Sequence, residues 1–176
     1  MAKFNIQQSG SIVNWTGKKV LGLHTGSIDV AEGYVNVSEG NVTDGEIQID
    51  MTTIVITDIE DKKTKKDFHD HLLTDDFFSV DKFKRATLQI TGSKSTGNNK
   101  QEILGKLTIK DITHPITFEA TTEIFTDSLH SLGEMIIDRT LYNIRYGSGK
   151  FIDNLGDKLI YDDFVLQFKL IGLRQI

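Results

Sequence analysis

The sequence predicts an all-β protein in which eight antiparallel strands close into a barrel, interrupted by one short helical insertion. Along most of the chain, apolar and polar residues alternate with a period of two, as in strands with one buried and one solvated face. Proline occurs once and glycine 15 times among the 176 residues, so glycine, asparagine and aspartate must form the turns. Consecutive strands usually pair, and eight of them can close and remove their exposed edges. A sandwich of two sheets is the alternative.

Four segments before the insertion have the pattern of strands. In the clearest, Glu46–Met51, isoleucine and methionine alternate with glutamate, glutamine and aspartate. The Asp44-Gly45 pair ahead of it predicts a bulge or a tight turn. The predicted strands are Ser11–Trp15, Ser27–Ser38, Glu46–Met51 and Thr52–Thr57, with a turn at Glu39–Asn41.

One segment, Lys62–Leu73, predicts a helix. Phe68 and Leu72 are four residues apart, so both would face the barrel while the lysines face water. Thr74 is predicted to be the N-cap of a second, short helix, because two aspartates follow it.

The strand pattern returns after the insertion and continues to the end of the chain. The last strand is the clearest, since phenylalanine and leucine occupy every second position. The predicted strands are Ala86–Thr91, Glu102–Ile109, Ile116–Thr126, Leu132–Asp138 and Phe164–Leu170, and the predicted loops are Ser95–Lys100 and Asp153–Asp157.

Composition argues against several classes of function. The net charge is −5, and the one basic run, Lys62–Lys66, is flanked by acidic residues, so we expect no nucleic-acid binding. The absence of cysteine excludes disulfides, thiolate zinc sites and a cysteine nucleophile. No apolar run is long enough to span a membrane. The first eight residues lack the apolar core of a signal peptide, which leaves a cytoplasmic protein or a periplasmic or secreted one whose signal peptide has been removed.

Several segments, in their order and spacing, resemble the YceI-like family of bacterial lipid-binding proteins. The resemblance covers nearly the whole chain and rests on Ile12–Val20, Ile47–Met51, His71–Leu72 with Asp75–Val80, Gly105–Ile109 with Thr113–Pro115, and Ile137–Thr140. It implies one domain over residues 1–176, a lipocalin-like barrel, and an apolar tunnel that binds a long isoprenoid or quinone-like lipid. It also implies passive binding or transport rather than catalysis. We predict no cofactor and no metal ion.

The alternating pattern by itself fits a barrel filled by side chains as well as a hollow one. The resemblance favours the hollow barrel, whose dry interior would suit a hydrocarbon chain. The side chains predicted to line this cavity are Val35, Val37, Ile47, Ile49, Leu88, Ile90, Leu107, Ile109, Phe118, Ile136, Phe164, Leu166 and Phe168. The alternating pattern does not determine which face of each strand points inward, because a shift of one residue inverts a whole face.

Asp67, His71, Arg139 and Tyr146 are predicted to form a polar rim that meets the head group of the lipid. Asp67 and His71 are four residues apart on one helix face, so an alternative is an enzyme that uses them as acid and base on an apolar substrate. Asp138 and Arg139 are predicted to form an ion pair at a strand end. A third hypothesis is a stress or interaction protein with a filled barrel. The predicted partner is an apolar lipid, and a homodimer is kept as an alternative to a monomer.

Overall fold

The structure is a computed structural model that describes residues 1–176. Strands dominate it, and the elements follow one another as β1 (Ala2–Ile6), β2 (Ile12–Lys19), β3 (Gly22–Ser38), β4 (Asn41–Ile56), α1 (Lys62–Leu73), β5 (Arg85–Gly97), β6 (Lys100–Ile109), β7 (Ile112–Ile124), β8 (Ser128–Asp138), two short 3₁₀ helices (Arg139–Tyr142 and Gly156–Lys158) and β9 (Ile160–Arg174).

The strands form one antiparallel sheet that closes into a barrel. Around the barrel the neighbours are β2, β9, β8, β7, β6, β5, β4 and β3, and β3 pairs with β2 to complete the circle. β1 continues the position of β2, because both strands pair with β3 and β9 and only a loop at residues 7–11 separates them. The barrel therefore has eight strand positions and no free edge. The predicted eight-stranded barrel is confirmed, and the two-sheet sandwich is wrong.

β1 is absent from the predicted strands, although its residues alternate clearly. Phe4 and Ile6 are buried inside the barrel, while Asn5 between them is exposed. The alternation of Phe4 and Ile6 with Lys3 and Asn5 is the signal that could have identified this strand. Most of the predicted strands are present and longer than predicted, since pairing on both sides extends each strand; β4, for example, joins two predicted segments.

The predicted irregularity near Asp44 is a bulge. Asn36 pairs with Asp44 but Val37 pairs with Val42, so Thr43 is the extra residue on β4. A bulge bends a strand without ending it, and β4 accordingly continues through Gly45.

The helix α1 forms over the predicted residues. Asp61 is its N-cap and accepts a hydrogen bond from the Thr64 backbone N–H at 2.8 Å. Leu72 is buried as expected. The second helix predicted after Thr74 is wrong: Thr74 is the C-cap of α1, and its hydroxyl donates to the His71 carbonyl at 2.7 Å. None of the helices is long and apolar enough to cross a membrane.

The two ends of the barrel differ. At one end, called the closed end below, β3 joins β4, β5 joins β6 and β7 joins β8 through short turns. At the other, called the mouth end, the long connections lie: α1 with residues 74–84, and the stretch 139–159. Lys110 fastens these two connections to each other, because its ammonium donates to the carbonyls of Asn143 at 3.1 Å and Asp75 at 3.4 Å.

Candidate functional site

The barrel encloses an apolar cavity of about 480 Å³. Hydrophobic residues make up 34 of the 44 that line it, and its volume falls within the range of about 300–1,000 Å³ that is usual for ligand sites. Gly17, Ala86 and Ala120 are among the inward-facing positions. Because these residues have little or no side chain, the interior of an eight-stranded barrel stays open instead of filling. The hypothesis of a filled barrel is therefore wrong.

Most of the side chains predicted to line the cavity lie on its wall. Eleven of the thirteen do so: Val35, Ile47, Ile49, Leu88, Ile90, Leu107, Ile109, Phe118, Phe164, Leu166 and Phe168. Val37 is buried but does not reach the cavity; it pairs with Ala2 and Val42 near the closed end. Contact of these residues with a ligand stays a prediction.

Ile136 is a correction. Its side chain is 62% exposed on the outside of β8, while its neighbours Met135 and Ile137 are buried and line the cavity. The sequence Met-Ile-Ile has three apolar residues in a row, so alternation cannot tell which one points outward, and a choice shifted by one residue inverts the face.

Several wall residues are absent from the predicted set. Trp15 is the most informative, because it stands two positions after Val13 on the inward face of β2. That spacing of two is the signal that could have identified it. Two polar residues also lie on the wall, Thr122 and Ser131, whose hydroxyls are 3.0 Å apart and bond to each other.

The cavity opens at the mouth end. Its exposed lining residues lie there, and the lining residues of the closed end are largely buried: the exposed ones are Lys18, Lys19, Thr64, Tyr146, Tyr161 and Asp163. His71 lies beside this opening, where its Nε2 atom is 2.8 Å from Asp76 Oδ2. Its ring packs edge-on against the rings of Tyr146 and Phe77, with 4.5 Å and 5.0 Å between the ring centroids. The structure therefore brings two of the four predicted rim residues together.

Asp67 lies away from the cavity. It faces solvent on α1 and pairs with Lys63 at 2.6 Å. Although Asp67 and His71 are one helical turn apart, only His71 lines the cavity. The prediction of Asp67 as a rim residue is wrong, and so is the prediction of an acid–base pair made by Asp67 and His71 inside the pocket.

Arg139 lies on the wall, but backbone groups occupy its guanidinium. The residue is only 4% exposed. Nε donates to Tyr161 O at 3.0 Å, and Nη2 donates to Ile160 O at 3.1 Å. Nη1 donates to both Ile144 O at 3.0 Å and Tyr146 O at 2.8 Å. Burial lowers the pKa of Arg139, an effect that Asp162 and Asp138 partly offset. Arg139 thus fastens the connection 139–159 to β9.

The predicted ion pair between Asp138 and Arg139 is wrong. Asp138 instead caps the first 3₁₀ helix, accepting from the Thr140 N–H at 2.9 Å, and pairs with Lys150 at 3.1 Å. Burial raises the pKa of Asp138, but the hydrogen bonds from Thr140 and Lys150 outweigh it and place the pKa below its ordinary value. Asp138 is therefore a carboxylate at neutral pH.

Comparison with known sequences identifies the family. The sequence pattern of the YceI-like domain matches residues 4–171. The chain belongs to the YceI-like family. This membership confirms the resemblance inferred from the sequence segments above.

Relatives of this YceI-like chain are distant. A UPF0312 protein of Vibrio parahaemolyticus is 28% identical over 95 residues, which are 54% of this chain and 48% of that protein. A UPF0312 protein of Pseudomonas fluorescens is 41% identical over 51 residues, 29% of this chain and 27% of that protein. The matched regions thus span about half the length of these relatives or less.

Solved structures share the fold of this YceI-like chain over nearly its whole length. The BcnA protein of Burkholderia cenocepacia superposes with a TM-score of 0.76 at 21% identity, covering 94% of this chain and 98% of that one. A polyisoprenoid binding domain from Saccharophagus degradans superposes with a TM-score of 0.73 at 14% identity, covering 98% of each chain.

Proposed function

We propose that this protein binds a long-chain apolar lipid, such as a polyisoprenoid or an isoprenoid quinone, and sequesters or carries it without changing it chemically. The observation that carries the proposal is the cavity of about 480 Å³ inside the barrel, lined mainly by hydrophobic residues. Each CH₂ group removed from water gains about 0.8 kcal/mol. A long chain can therefore offset the free energy lost when it is ordered and immobilised.

The shape of the cavity favours a chain-like ligand. On β4, the residues that line it run from Val42 near the closed end to Ile54 towards the mouth end. At about 3.3 Å per residue and a strand tilt of about 40°, this stretch covers roughly 30 Å of the barrel axis. A cavity so long for its volume is narrow, and an extended hydrocarbon chain fits it better than a compact ring system does.

A solved structure with the same fold supports the same proposal. The Saccharophagus degradans domain with this fold is described as polyisoprenoid binding. In our proposal the hydrocarbon tail fills the barrel towards the closed end, and the polar end of the lipid lies at the mouth end near His71 and Tyr146. The mechanism is passive, because the barrel wall only removes the tail from water.

Extraction of the purified protein tests the proposal. Protein produced in bacteria and extracted with organic solvent should release a lipid that mass spectrometry detects. The emptied protein should then bind a fluorescent prenyl or fatty-acid probe. A protein that releases no lipid and binds neither probe would contradict the proposal.

A matched pair of variants on β5 locates the binding. Ala86→Phe places a phenyl ring in the cavity, whereas Thr87→Phe adds the same group at the next position, which is not part of the cavity wall. A phenyl ring that displaces two or more CH₂ groups of the ligand should weaken probe binding at least about ten-fold, while Thr87→Phe should bind as the wild type does. Equal binding by both variants would place the lipid elsewhere.

A further inference from the structure

Large apolar side chains face solvent beside the opening of the cavity. They belong to the turn between β2 and β3, to the connection 139–159 and to the start of β9, and each is between 42% and 70% exposed. Contiguous apolar surface that faces water marks a site of contact with a protein or a membrane. These side chains, called the mouth patch below, are Val20, Leu21, Tyr146, Phe151, Ile152 and Tyr161.

The segments that carry the mouth patch contact one another. The backbone N–H of Val20 donates to Leu159 O at 3.2 Å, so the turn between β2 and β3 lies against the connection 139–159. A Cβ atom at Gly149 would lie 3.0 Å from Leu159 Cδ1, so the segment that leads to Phe151 packs on the same leucine. The two tyrosines of the patch also line the cavity. The mouth patch is therefore one surface that borders the opening.

Two lysines stand directly before the apolar turn. Lys18 and Lys19 are exposed and line the opening, and neither forms a salt bridge. The one carboxylate among the exposed lining residues is Asp163. The charged side chains of the connection 139–159 that form no salt bridge, two basic and two acidic, cancel each other. The opening is therefore positively charged on balance, although the whole chain has a net charge of −5.

We propose that the mouth patch, together with Lys18 and Lys19, docks on the surface of a lipid bilayer that contains anionic lipids. The inference rests on the proposed function, because a long-chain apolar lipid resides in a bilayer rather than in water. A partner that accommodates exposed apolar side chains and ammonium groups side by side must offer hydrocarbon next to negative charge, and the interface of an anionic bilayer does so. With the mouth on the bilayer, the lipid chain enters or leaves the barrel while little of it contacts water.

Co-sedimentation of the full chain with vesicles tests the apolar part of the inference. The vesicles consist of phosphatidylcholine, with or without added phosphatidylglycerol. Leu21→Ser removes the most exposed side chain of the mouth patch and should weaken binding at least about five-fold, since an inserted leucine leaves water. Leu132→Ser is the matched control, because Leu132 is 53% exposed on the outer wall of β8 and lies outside the patch. It should bind as the wild type does.

The same vesicles test the role of the charge. Wild-type protein should bind the vesicles with phosphatidylglycerol more tightly, and added salt should reduce this preference. The double variant Lys18→Gln, Lys19→Gln should weaken binding to them about twenty-five-fold, or about five-fold for each lysine removed. The double variant Lys106→Gln, Lys169→Gln removes the same charge from exposed positions on β6 and β9 outside the mouth patch and should have little effect. The comparison of the two vesicles uses wild-type protein, so it decides the question even if a variant fails to fold.

The outcomes separate the inference from the proposed function. Wild-type protein that binds neither vesicle, or binds both equally, would overturn the inference, and so would equal binding by Leu21→Ser and Leu132→Ser. Binding of the prenyl probe in solution would then leave the proposed function intact. A dimer in size-exclusion chromatography that Leu21→Ser dissociates, without vesicle binding, would assign the mouth patch to a second copy of the chain instead. Vesicle binding that depends on Leu21 in a protein that binds no probe would support the docking surface and refute the proposed function.

Discussion

Replacing Gly26 by alanine should destabilise the barrel strongly. The added methyl group would lie 1.8 Å from the Val55 carbonyl oxygen and within 2.6 Å of the Trp15 ring. The ring can turn away, but the carbonyl oxygen belongs to β4, which pairs with β3 at this point: Gly26 stands opposite Ile56. The substitution therefore forces two strands apart.

The magnitude follows from these contacts. Overpacking a well-packed site costs about 1–3 kcal/mol, and a backbone hydrogen bond lost from the β3–β4 pairing adds about 1 kcal/mol. We expect a loss of about 2–4 kcal/mol in the free energy of unfolding. That is a large part of the roughly 5–15 kcal/mol of a typical domain.

Gly17→Ala is the matched control. Gly17 lies on β2 and lines the same cavity, but a Cβ atom there would have no other atom within 4 Å. A methyl group without clashes should leave the stability unchanged or raise it by up to about 1 kcal/mol, because alanine restricts the unfolded chain.

Urea denaturation followed by far-ultraviolet circular dichroism measures both variants independently of the tryptophan signal. Gly26→Ala should lower the midpoint without changing the slope, and its tryptophan emission should shift to the red as the indole leaves its place. Equal stabilities of Gly26→Ala and Gly17→Ala would refute the claim that a methyl group at Gly26 clashes with the Val55 carbonyl oxygen.

Two further predictions concern the connection 139–159. Arg139→Lys should lower the free energy of unfolding by about 3 kcal/mol or more in urea denaturation, because an ammonium cannot reach the four carbonyls and at least two charge-assisted hydrogen bonds are lost; a loss below 1 kcal/mol would contradict this role. The pKa of Asp138 is lower in the folded protein than in the unfolded chain. The Asp138 carboxylate therefore stabilises the fold fully above its unfolded pKa. This contribution is lost as the pH falls through the folded pKa, below about pH 4. Asp138→Asn should therefore flatten the acid side of the stability profile, while Asp153→Asn, an exposed residue outside any ion pair, should follow the wild type.

The barrel could be predicted from the sequence because period-two alternation is a local signal repeated along most of the chain. The inward face was harder to assign. On β9, where phenylalanine and leucine alternate with other residues, the assignment of Phe164, Leu166 and Phe168 to the cavity wall matches the structure. On β8, Met135 to Ile137 are all apolar, and only pairing with the neighbouring strands decides that Ile136 faces water.

The hollow interior could not be predicted from alternation, because a filled and an empty barrel have the same pattern. What separates them is the size of side chains that face each other across the barrel from distant parts of the sequence. Ala86 and Ala120 lie on β5 and β7, 34 residues apart in the sequence, and both line the cavity. The resemblance to the family supplied this information instead of the residue pattern.

The charged residues at the mouth end show that a positive charge near a cavity does not by itself identify a residue that binds the ligand. Arg139 has the charge expected of a residue that binds a lipid head group, yet its hydrogen bonds go to backbone carbonyls of residues 144–161. Lys110, nearly buried, likewise donates to carbonyls of the two mouth connections. Long irregular connections leave carbonyls without partners, and a buried cation can satisfy several of them. Beside the apolar cavity, Arg139 and Lys110 therefore hold the mouth connections in place, and their charge alone does not indicate that they bind a ligand.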